Sequence, residues 1–304
     1  MASSFFTKVR ILVKSMNILK NWYLYPIVYF NLTGKSHVIF ETRSGLKLKI
    51  RVKSTDLMAL TNVWLIQDYM PKLPFFFPDA DSMDTWFKND DIVIDVGAHI
   101  GLFALFASQY CKSGKIYCFE PVKENYDLLL DNIKLNHLTN ISTFNCAVSN
   151  KSSKVKIFLQ DDEAGHSMYT TNSNSVEVYS MTLNDFFKEI KIKKCNFLKL
   201  DCEGAEYYII DSLTPKNFDI IEKIIIECHF ADSKPLLLKK LTKTLEKFSF
   251  NINTSALANF NSIDFQVNML KSVKNADCIA KQRSVEGQMP SAIDVESDRY
   301  KLKF

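Results

Sequence analysis

From residue 91 onward, short runs of consecutive apolar residues alternate with segments whose apolar residues recur every three or four positions. Continuous apolar runs are typical of strands buried on both faces, and spacings of three and four are typical of helices. The pattern predicts buried strands over 91–96, 115–120, 140–148, 196–201 and 222–230. It predicts helices over 100–111, 122–136, 203–213 and 234–248, and weaker strands near 249–254 and 275–281. This alternation favours an α/β fold with a doubly wound, mostly parallel seven-stranded sheet.

Other segments depart from this rhythm. Residues 154–160 and 176–181 are predicted to form an inserted hairpin that flanks a polar loop, followed by a short helix over 182–190. Near the N-terminus, residues 37–53 alternate as a second hairpin around Gly45. We therefore divide the chain into a helix and hairpin arm (1–54), a helical linker packing on the core (55–90), the main domain (91–281) and a polar tail (282–304).

The arm carries an apolar stripe. Its members recur at spacings of three and four and are Phe5, Val9, Leu12, Met16, Leu19 and Tyr23. At 100° per residue they lie within about 40° of one line, which predicts an amphipathic helix. Two placements stay open. The stripe packs on the body, or residues 5–23 lie on an anionic membrane while the flanking lysines reach the headgroups.

Charge is distributed unevenly along the chain. Residues 1–55 hold ten Lys/Arg and one acidic residue, a balance of +9, although the whole chain carries only +4. A basic arm on an acidic body favours contact with an anionic surface. No basic stripe with interleaved aromatic residues borders the predicted pocket, so we expect no nucleic-acid partner. No run of 18 apolar residues occurs and Lys14 interrupts the best candidate signal sequence, so we expect a cytoplasmic protein, free or peripheral on the inner membrane face.

The seven cysteines are scattered and include no CxxC pair. Neither a zinc motif nor a redox motif is therefore indicated. We expect buried free thiols, as in a reducing compartment.

Candidate chemistry begins where the first predicted strand ends, in the segment DVGAHIG from Asp95 to Gly101. Ligands of doubly wound sheets bind at this edge. Gly97 would permit the tight turn and Gly101 close helix–strand packing, while Glu120, at the end of the second strand, would bind ribose hydroxyls. A dinucleotide fingerprint has another glycine where this chain has His99, so a side chain there and the nearby acid disfavour a pyrophosphate. A ribose next to a cationic sulfonium suits the turn better, which favours S-adenosylmethionine over NAD.

Further segments follow in order: YCFEPVKENYDLLLDNIKLN (117–136), AVSN (147–150), MTLNDFF (181–187), LKLDCEGAE (198–206) and IIIECH (224–229). Together with DVGAHIG they resemble the FkbM family of S-adenosylmethionine-dependent methyltransferases, across roughly residues 90–255. The resemblance implies a class I methyltransferase fold, which is Rossmann-like. It also implies O-methylation of sugar or polyketide hydroxyls.

The resemblance also implies roles for individual residues. Asp95, Gly97 and Gly101 would line the methionine end of the cofactor, and Glu120 would bind its ribose. The residues that end the third strand would lie near the adenine, and these are Asn145, Cys146 and Ala147. Asp201 would lie at the mouth of the site, beside the methyl group.

An alcohol acceptor must lose a proton, so the site needs a base. The candidates are Asp201, His166 in the polar insert, and His229 after Glu227 at the end of the fifth strand. Asp201 could instead bind the cationic groups of the cofactor, His166 could be a solvated loop residue, and His229 could belong to a strand-end hydrogen-bond network. Hard oxygen ligands from Asp201, Glu203 and Glu227, with His229, could hold Mg²⁺. No short-spaced ligand motif supports that site, so we expect no metal.

The sequence therefore predicts a methyltransferase that O-methylates a glycan, glycolipid or related small molecule. An NAD-dependent oxidoreductase and a non-catalytic, membrane-associated binding module are the alternatives. No recognisable motif encodes the acceptor, whose specificity we expect in the 150–180 insert, the 55–88 segment and the tail.

Overall fold

The structure, a computed structural model of the chain, describes residues 2–70, 86–159, 174–231, 233–256 and 268–274. Its N-terminal part contains helices α1 (Ala2–Ile18), α2 (Leu24–Tyr29) and α3 (Asp56–Leu60), and α3 continues into a π-helical turn, Thr61–Ile66. Strands β1 (His37–Glu41) and β2 (Lys47–Arg51) pair antiparallel, which confirms the hairpin predicted over 37–53.

Seven strands form the central sheet and three form a smaller one. The central strands are β3 (Ile92–Val96), β4 (Lys115–Phe119), β5 (Ile141–Phe144), β9 (Phe197–Leu200), β10 (Lys223–Cys228), β11 (Phe250–Ala256) and β12 (Asn268–Lys274). The small sheet contains β6 (Ala147–Val148), β7 (Ser153–Phe158) and β8 (Ser175–Met181). The helices of this part are α4 (Leu102–Ser108), α5 (Lys123–Leu135), α6 (Leu183–Glu189), α7 (Glu206–Ser212), α8 (Pro215–Ile220) and α9 (Pro235–Lys247).

The central sheet is doubly wound. Its strand order is β11-β12-β10-β9-β3-β4-β5, and the pairings from β10 to β5 are all parallel. Among these seven strands only β12 points in the opposite direction, and it pairs antiparallel with both β10 and β11. The chain proceeds outward from β3 on one side and later returns to β3's other side with β9, so β3 borders the crevice where such sheets bind ligands. This arrangement confirms the predicted α/β class with a mostly parallel seven-stranded sheet and a helix and hairpin extension.

Apolar side chains cover both faces of the sheet. Successive residues of a strand point to opposite faces, and Val93 and Ile94 of β3 belong to two separate apolar clusters. Six cysteines lie in the described residues, and all six are free thiols, of which only Cys202 is partly exposed.

Some predicted boundaries were wrong. The third strand, predicted to reach 148, leaves the central sheet after Phe144, and β6 pairs with β8 instead. The apolar run continues through this break, so the pattern does not reveal it. The helix predicted from 203 starts at Glu206, because Glu203 and Gly204 adopt left-handed backbone angles of φ 52° and 101°. The sequence pattern did not predict the strand at Asn268–Lys274, and the weak strand predicted near 275–281 lies outside the described residues. The inserted hairpin is confirmed as the β7–β8 pair.

Helix α1 packs on the body through a face that the sequence pattern did not predict. Ser15 is fully buried and Ile11 and Ile18 pack against the core. The exposed members of the predicted stripe are Phe5, Val9, Met16 and Tyr23. The helix is confirmed, but the single apolar face was wrong, because apolar residues outside the stripe supply part of its contact with the body. Within the described ranges, no helix is both long enough and apolar enough to cross a bilayer.

Two asparagines of α5 join the hairpin to the main domain. Fully buried Asn132 accepts a hydrogen bond from the Lys49 backbone N–H at 2.8 Å and donates to the carbonyls of Lys49 and Ile100 at 3.0 and 2.9 Å. Asn136 makes the same reciprocal pair with Lys47, at 2.7 Å each. The two amides thus satisfy the edge of β2 as a neighbouring strand would.

Candidate active site

A cleft opens at the carboxyl ends of β3, β4, β9 and β10. The N-terminal part supplies its opposite wall, through Met58, Asn62 and Tyr69. The predicted site residues that line this cleft are Gly97, Glu120, Ala147 and Asp201. Four others do not line it, namely Asp95, Gly101, Asn145 and Cys146, and His166 lies outside the described residues.

The first turn brings two strand ends into contact. Gly97 has φ +75°, and a Cβ there would lie 1.7 Å from the carbonyl oxygen of Asp201. No other residue type fits this position without moving β9 away from β3. Gly101 also has a positive φ, +85°, and a Cβ there would lie 2.4 Å from Leu129 Cδ1, so a glycine suits this position. That contact joins α4 to α5, so Gly101 permits helix–helix packing rather than the predicted helix–strand packing.

A buried lysine neutralises the acid of this turn. Lys199 Nζ donates to Asp95 Oδ1 and to the Gly97 carbonyl, each at 3.0 Å, and lies 3.4 Å from Asp201 Oδ2. Burial raises the pKa of fully buried Asp95, and the ammonium opposes that rise. Although burial alone would lower it, the two carboxylates hold the pKa of Lys199 above its usual range. The ammonium group of Lys199 therefore compensates the negative charge that we expected Asp95 to place beside the cofactor.

Glu120 lines the cleft with a fixed carboxylate. Its Oε2 accepts from the His99 backbone N–H at 2.8 Å, and its Oε1 accepts from the Val122 N–H at 3.0 Å. Burial raises its pKa to about 7 despite these bonds. Asn145, expected near the adenine, instead donates to the carbonyls of Glu120 and Pro121 at 2.9 and 3.0 Å. Asn145 thus orders the turn that presents Glu120.

The side chain of His99 faces the N-terminal hairpin. Its Nε2 lies 3.1 Å from Arg51 Nη2 and 3.3 Å from Asp56 Oδ1. Burial lowers the pKa of His99 to about 4, although the charge of Asp56 acts to raise it. The neutral ring can therefore accept a hydrogen bond from the Arg51 guanidinium. Arg51 also donates to Asp56 at 2.8 and 3.0 Å and to Asn125 at 2.8 Å. Nothing in the local sequence indicated Arg51 or Asp56, and Arg51 lies 48 positions from His99 in the chain.

A hydroxyl and two carboxylates share the opposite corner of the cleft. The hydroxyl of Tyr69 lies 2.7 Å from Asp201 Oδ2 and 3.1 Å from Glu227 Oε2. Burial and the Asp201 charge raise the pKa of Glu227. Burial alone would raise the pKa of Asp201 as well. The positive charges of Lys199 and His229 nevertheless hold that pKa below the usual range. The pair therefore divides into an ionised Asp201 and a Glu227 that keeps its proton to higher pH.

His229 is enclosed by acids. Its Nδ1 lies 2.6 Å from Glu206 Oε1 and its Nε2 lies 3.2 Å from Glu203 Oε1. Although burial opposes it, these two carboxylates raise the pKa of His229 well above its usual range. An imidazolium with both nitrogens engaged cannot accept a proton, so the geometry assigns His229 to the strand-end network.

A metal would have to compete with these charges. Ligand atoms of Asp201, Glu227 and His229 lie within 4.8 Å of one another. To ligate, His229 would first have to lose the proton that Glu203 and Glu206 stabilise. The arrangement of these side chains fits a network in which the protonated His229 balances the carboxylates better than it fits a magnesium site.

Comparison with known proteins gives consistent results. Residues 95–252 match the family model described as the methyltransferase FkbM domain. The chain is 24% identical over 181 residues to Methyltransferase 1 of Beauveria bassiana, covering 51% of this chain and 73% of that protein. It is 22% identical over 172 residues to Methyltransferase sdnD of Sordaria araneosa, covering 46% and 66%. A crystal structure of an FkbM methyltransferase from Methylobacillus flagellatus aligns with a TM-score of 0.45 and 16% identity, over 71% of this chain and 53% of that one.

Proposed function

Because the chain belongs to the FkbM methyltransferase family, we propose that it transfers a methyl group to a hydroxyl of a glycan, glycolipid or related small molecule. The chain is a methyltransferase, and its cofactor is S-adenosylmethionine. The hydroxyl acceptor is the part that we infer from the site.

The residues of the cleft fit this cofactor. Each carboxylate oxygen of Glu120 accepts from a backbone N–H, and the Asn125 side chain donates a further hydrogen bond to this carboxylate. One of its roughly four lone-pair sites is left for a ribose hydroxyl. Ionised Asp201 offers a negative charge to the cationic groups, and Gly97 leaves room beside it. Ala147 is proposed to contact the adenine. When bound, S-adenosylmethionine supplies a methyl group already activated by its sulfonium.

The observation that supports a hydroxyl acceptor is the position of the Tyr69 hydroxyl, which lies within hydrogen-bond distance of both Asp201 and Glu227. Paired carboxylates with opposed pKa shifts divide their roles between charge and proton transfer. Asp201 stays ionised and would hold a cation. Glu227 lines the cleft and its raised pKa lies closer to neutrality, where a general base works best. We therefore assign Glu227, rather than Asp201, as the group that takes the proton of the acceptor.

Transfer of labelled methyl groups tests this function. The purified chain is incubated with labelled S-adenosylmethionine and with separate glycan, glycolipid and small-molecule alcohol fractions, and each product is located by mass spectrometry. Label in a methyl ether is the expected result. Label confined to nitrogen, carbon or carboxyl groups would overturn the hydroxyl acceptor while leaving the family assignment intact. A chain that binds S-adenosylmethionine but transfers no label to any fraction would count against the proposal as a whole.

A further inference from the structure

One face of α1 is apolar and exposed to solvent. Its members are Phe5 (65% exposed), Phe6 (69%), Val9 (42%), Val13 (50%) and Met16 (40%), which we call the exposed stripe. At about 100° per residue these positions span an arc of about 100°, and no polar residue of α1 falls within it. The stripe runs about 16 Å along the helix axis.

The body holds this helix with the stripe outward. Ser15, about 130° around the helix from the middle of the stripe, is fully buried, and so is Leu19 immediately after the helix. Arg43 donates to the carbonyl of Met16 at 2.9 and 3.1 Å, which satisfies an orphan acceptor of the last turn. Because the other face is already packed, a simple rotation of α1 would bury the stripe only by exposing Ser15 and its neighbours.

Aromatic residues and cations border the stripe. Lys8 and Arg10 are exposed and flank it on its two sides, at about 60° and 40° from the nearest member. Lys8 Nζ lies 5.7 Å from the centre of the Tyr29 ring, which brings α2 beside α1. Phe30 packs edge-on against Tyr29 and is 65% exposed. Apolar residues with rings at the border and lysines on the flanks are typical of helices that lie in a membrane interface.

We propose that the exposed stripe docks this protein onto the surface of an anionic lipid bilayer. Residues 1–55 carry a net charge of +9, and Lys8 and Arg10 lie directly beside the stripe. This positive charge complements anionic headgroups. A second copy of the chain would bring the same positive charge against itself, so self-association through this face is disfavoured. The proposal concerns the arm and is independent of the acceptor.

Vesicle co-sedimentation of the full chain tests the docking surface. The probes are vesicles of phosphatidylcholine alone and of phosphatidylcholine mixed with phosphatidylserine, at low and at high salt. The triple variant Phe5→Ala, Phe6→Ala and Val13→Ala removes apolar area without changing charge. Leu236→Ala is the matched control, because Leu236 is 79% exposed on α9 in equally lysine-rich surroundings. Thermal unfolding and cofactor calorimetry verify that each variant is folded.

The wild-type chain and the control should sediment with phosphatidylserine vesicles at low salt. Binding should weaken at high salt and on phosphatidylcholine alone, and the triple variant should bind at least about tenfold more weakly with unchanged cofactor affinity. The proposal is overturned if the wild-type chain stays in the supernatant, or if the triple variant binds vesicles as the wild type does. It is also overturned if ultracentrifugation shows a wild-type dimer that the triple variant loses, because a second copy then covers the stripe.

Discussion

Replacement of Glu120 tests how the cofactor is held. Glu120→Gln keeps one acceptor oxygen but removes the charge, and its amide group must face one of the two backbone donors, His99 N–H or Val122 N–H. Glu120→Ala removes both acceptors. Neither change touches Asp201 or the corner of the cleft around Glu227, so the fold and the proton-transfer groups should persist.

The expected magnitudes follow from the loss of hydrogen bonding between the ribose and this charged carboxylate. A hydrogen bond to a charged acceptor contributes about 1.5–3 kcal/mol, and about 1.4 kcal/mol corresponds to a factor of ten in affinity. Glu120→Gln should therefore weaken S-adenosylmethionine about tenfold or more, and Glu120→Ala about a hundredfold or more. Isothermal titration calorimetry measures both.

Proton release gives a second, independent readout. The pKa of Glu120 is raised to about 7 in the free protein. Hydroxyl donors and a cationic ligand favour the ionised form, so its pKa falls when the cofactor binds. Below pH 7 binding should therefore release a proton, and affinity should rise with pH up to about 7 and then level off. Calorimetry in buffers of different ionisation enthalpy counts the released proton, which Glu120→Gln should lose.

Glu124→Gln is the matched control, since Glu124 is exposed in the first turn of α5. It should retain both the affinity and the proton release. If folded Glu120→Ala binds the cofactor as tightly as wild type, or if wild type releases no proton between pH 5 and 7, the carboxylate does not hold the ribose.

The remaining predictions concern the proton acceptor and the hairpin contact. Glu227→Gln should lower kcat by about 10²–10⁴-fold with little change in cofactor Kd, while Asp201→Asn should raise that Kd and spare kcat at saturation; the reverse outcome in kinetics and calorimetry makes Asp201 the base. Because the pKa of Glu227 is raised, Glu227 ionises at higher pH than an ordinary carboxyl group, and the wild-type rate should still increase with pH above the usual carboxylate range. A rate that does not change between pH 5 and pH 9 would contradict this assignment. Asn132→Ala should destabilise the fold by about 1–3 kcal/mol in urea unfolding, because partly buried backbone groups of Lys49 lose their partners. Asn136→Ala, at the exposed end, should cost less.

The sequence predicted the site residues correctly where their position in the fold depends on the end of a strand. Apolar runs located the five parallel strands of the central sheet, and parallel strands bring their carboxyl ends to one edge. Gly97, Glu120 and Asp201 each follow such a run by one residue, which is why they meet in one cleft. Asn145 follows a strand in the same way but turns its amide to backbone carbonyls, which no pattern of apolar residues encodes.

Contacts made by the N-terminal part could not be predicted in this way. Tyr69 reaches Asp201 and Glu227 across 132 and 158 positions of the chain, and nothing in the local sequence around it indicates that approach. The same holds for Arg51 beside His99. The opposed pKa shifts of Asp201 and Glu227 depend on burial and on Lys199, quantities that exist only once the chain has folded.

The hairpin contact also has a consequence for synthesis. Asn132 is made 83 positions after Lys49, so at about 5–20 residues per second the outer edge of β2 emerges roughly 4–17 s before its partner. During that interval its N–H and C=O groups could pair with a strand of another nascent chain. The sequence of β2, KLKIR, places a cation at every second position of this edge. Alternating cations of this kind disfavour edge-to-edge pairing, and we expect them to limit aggregation on the ribosome until α5 is complete.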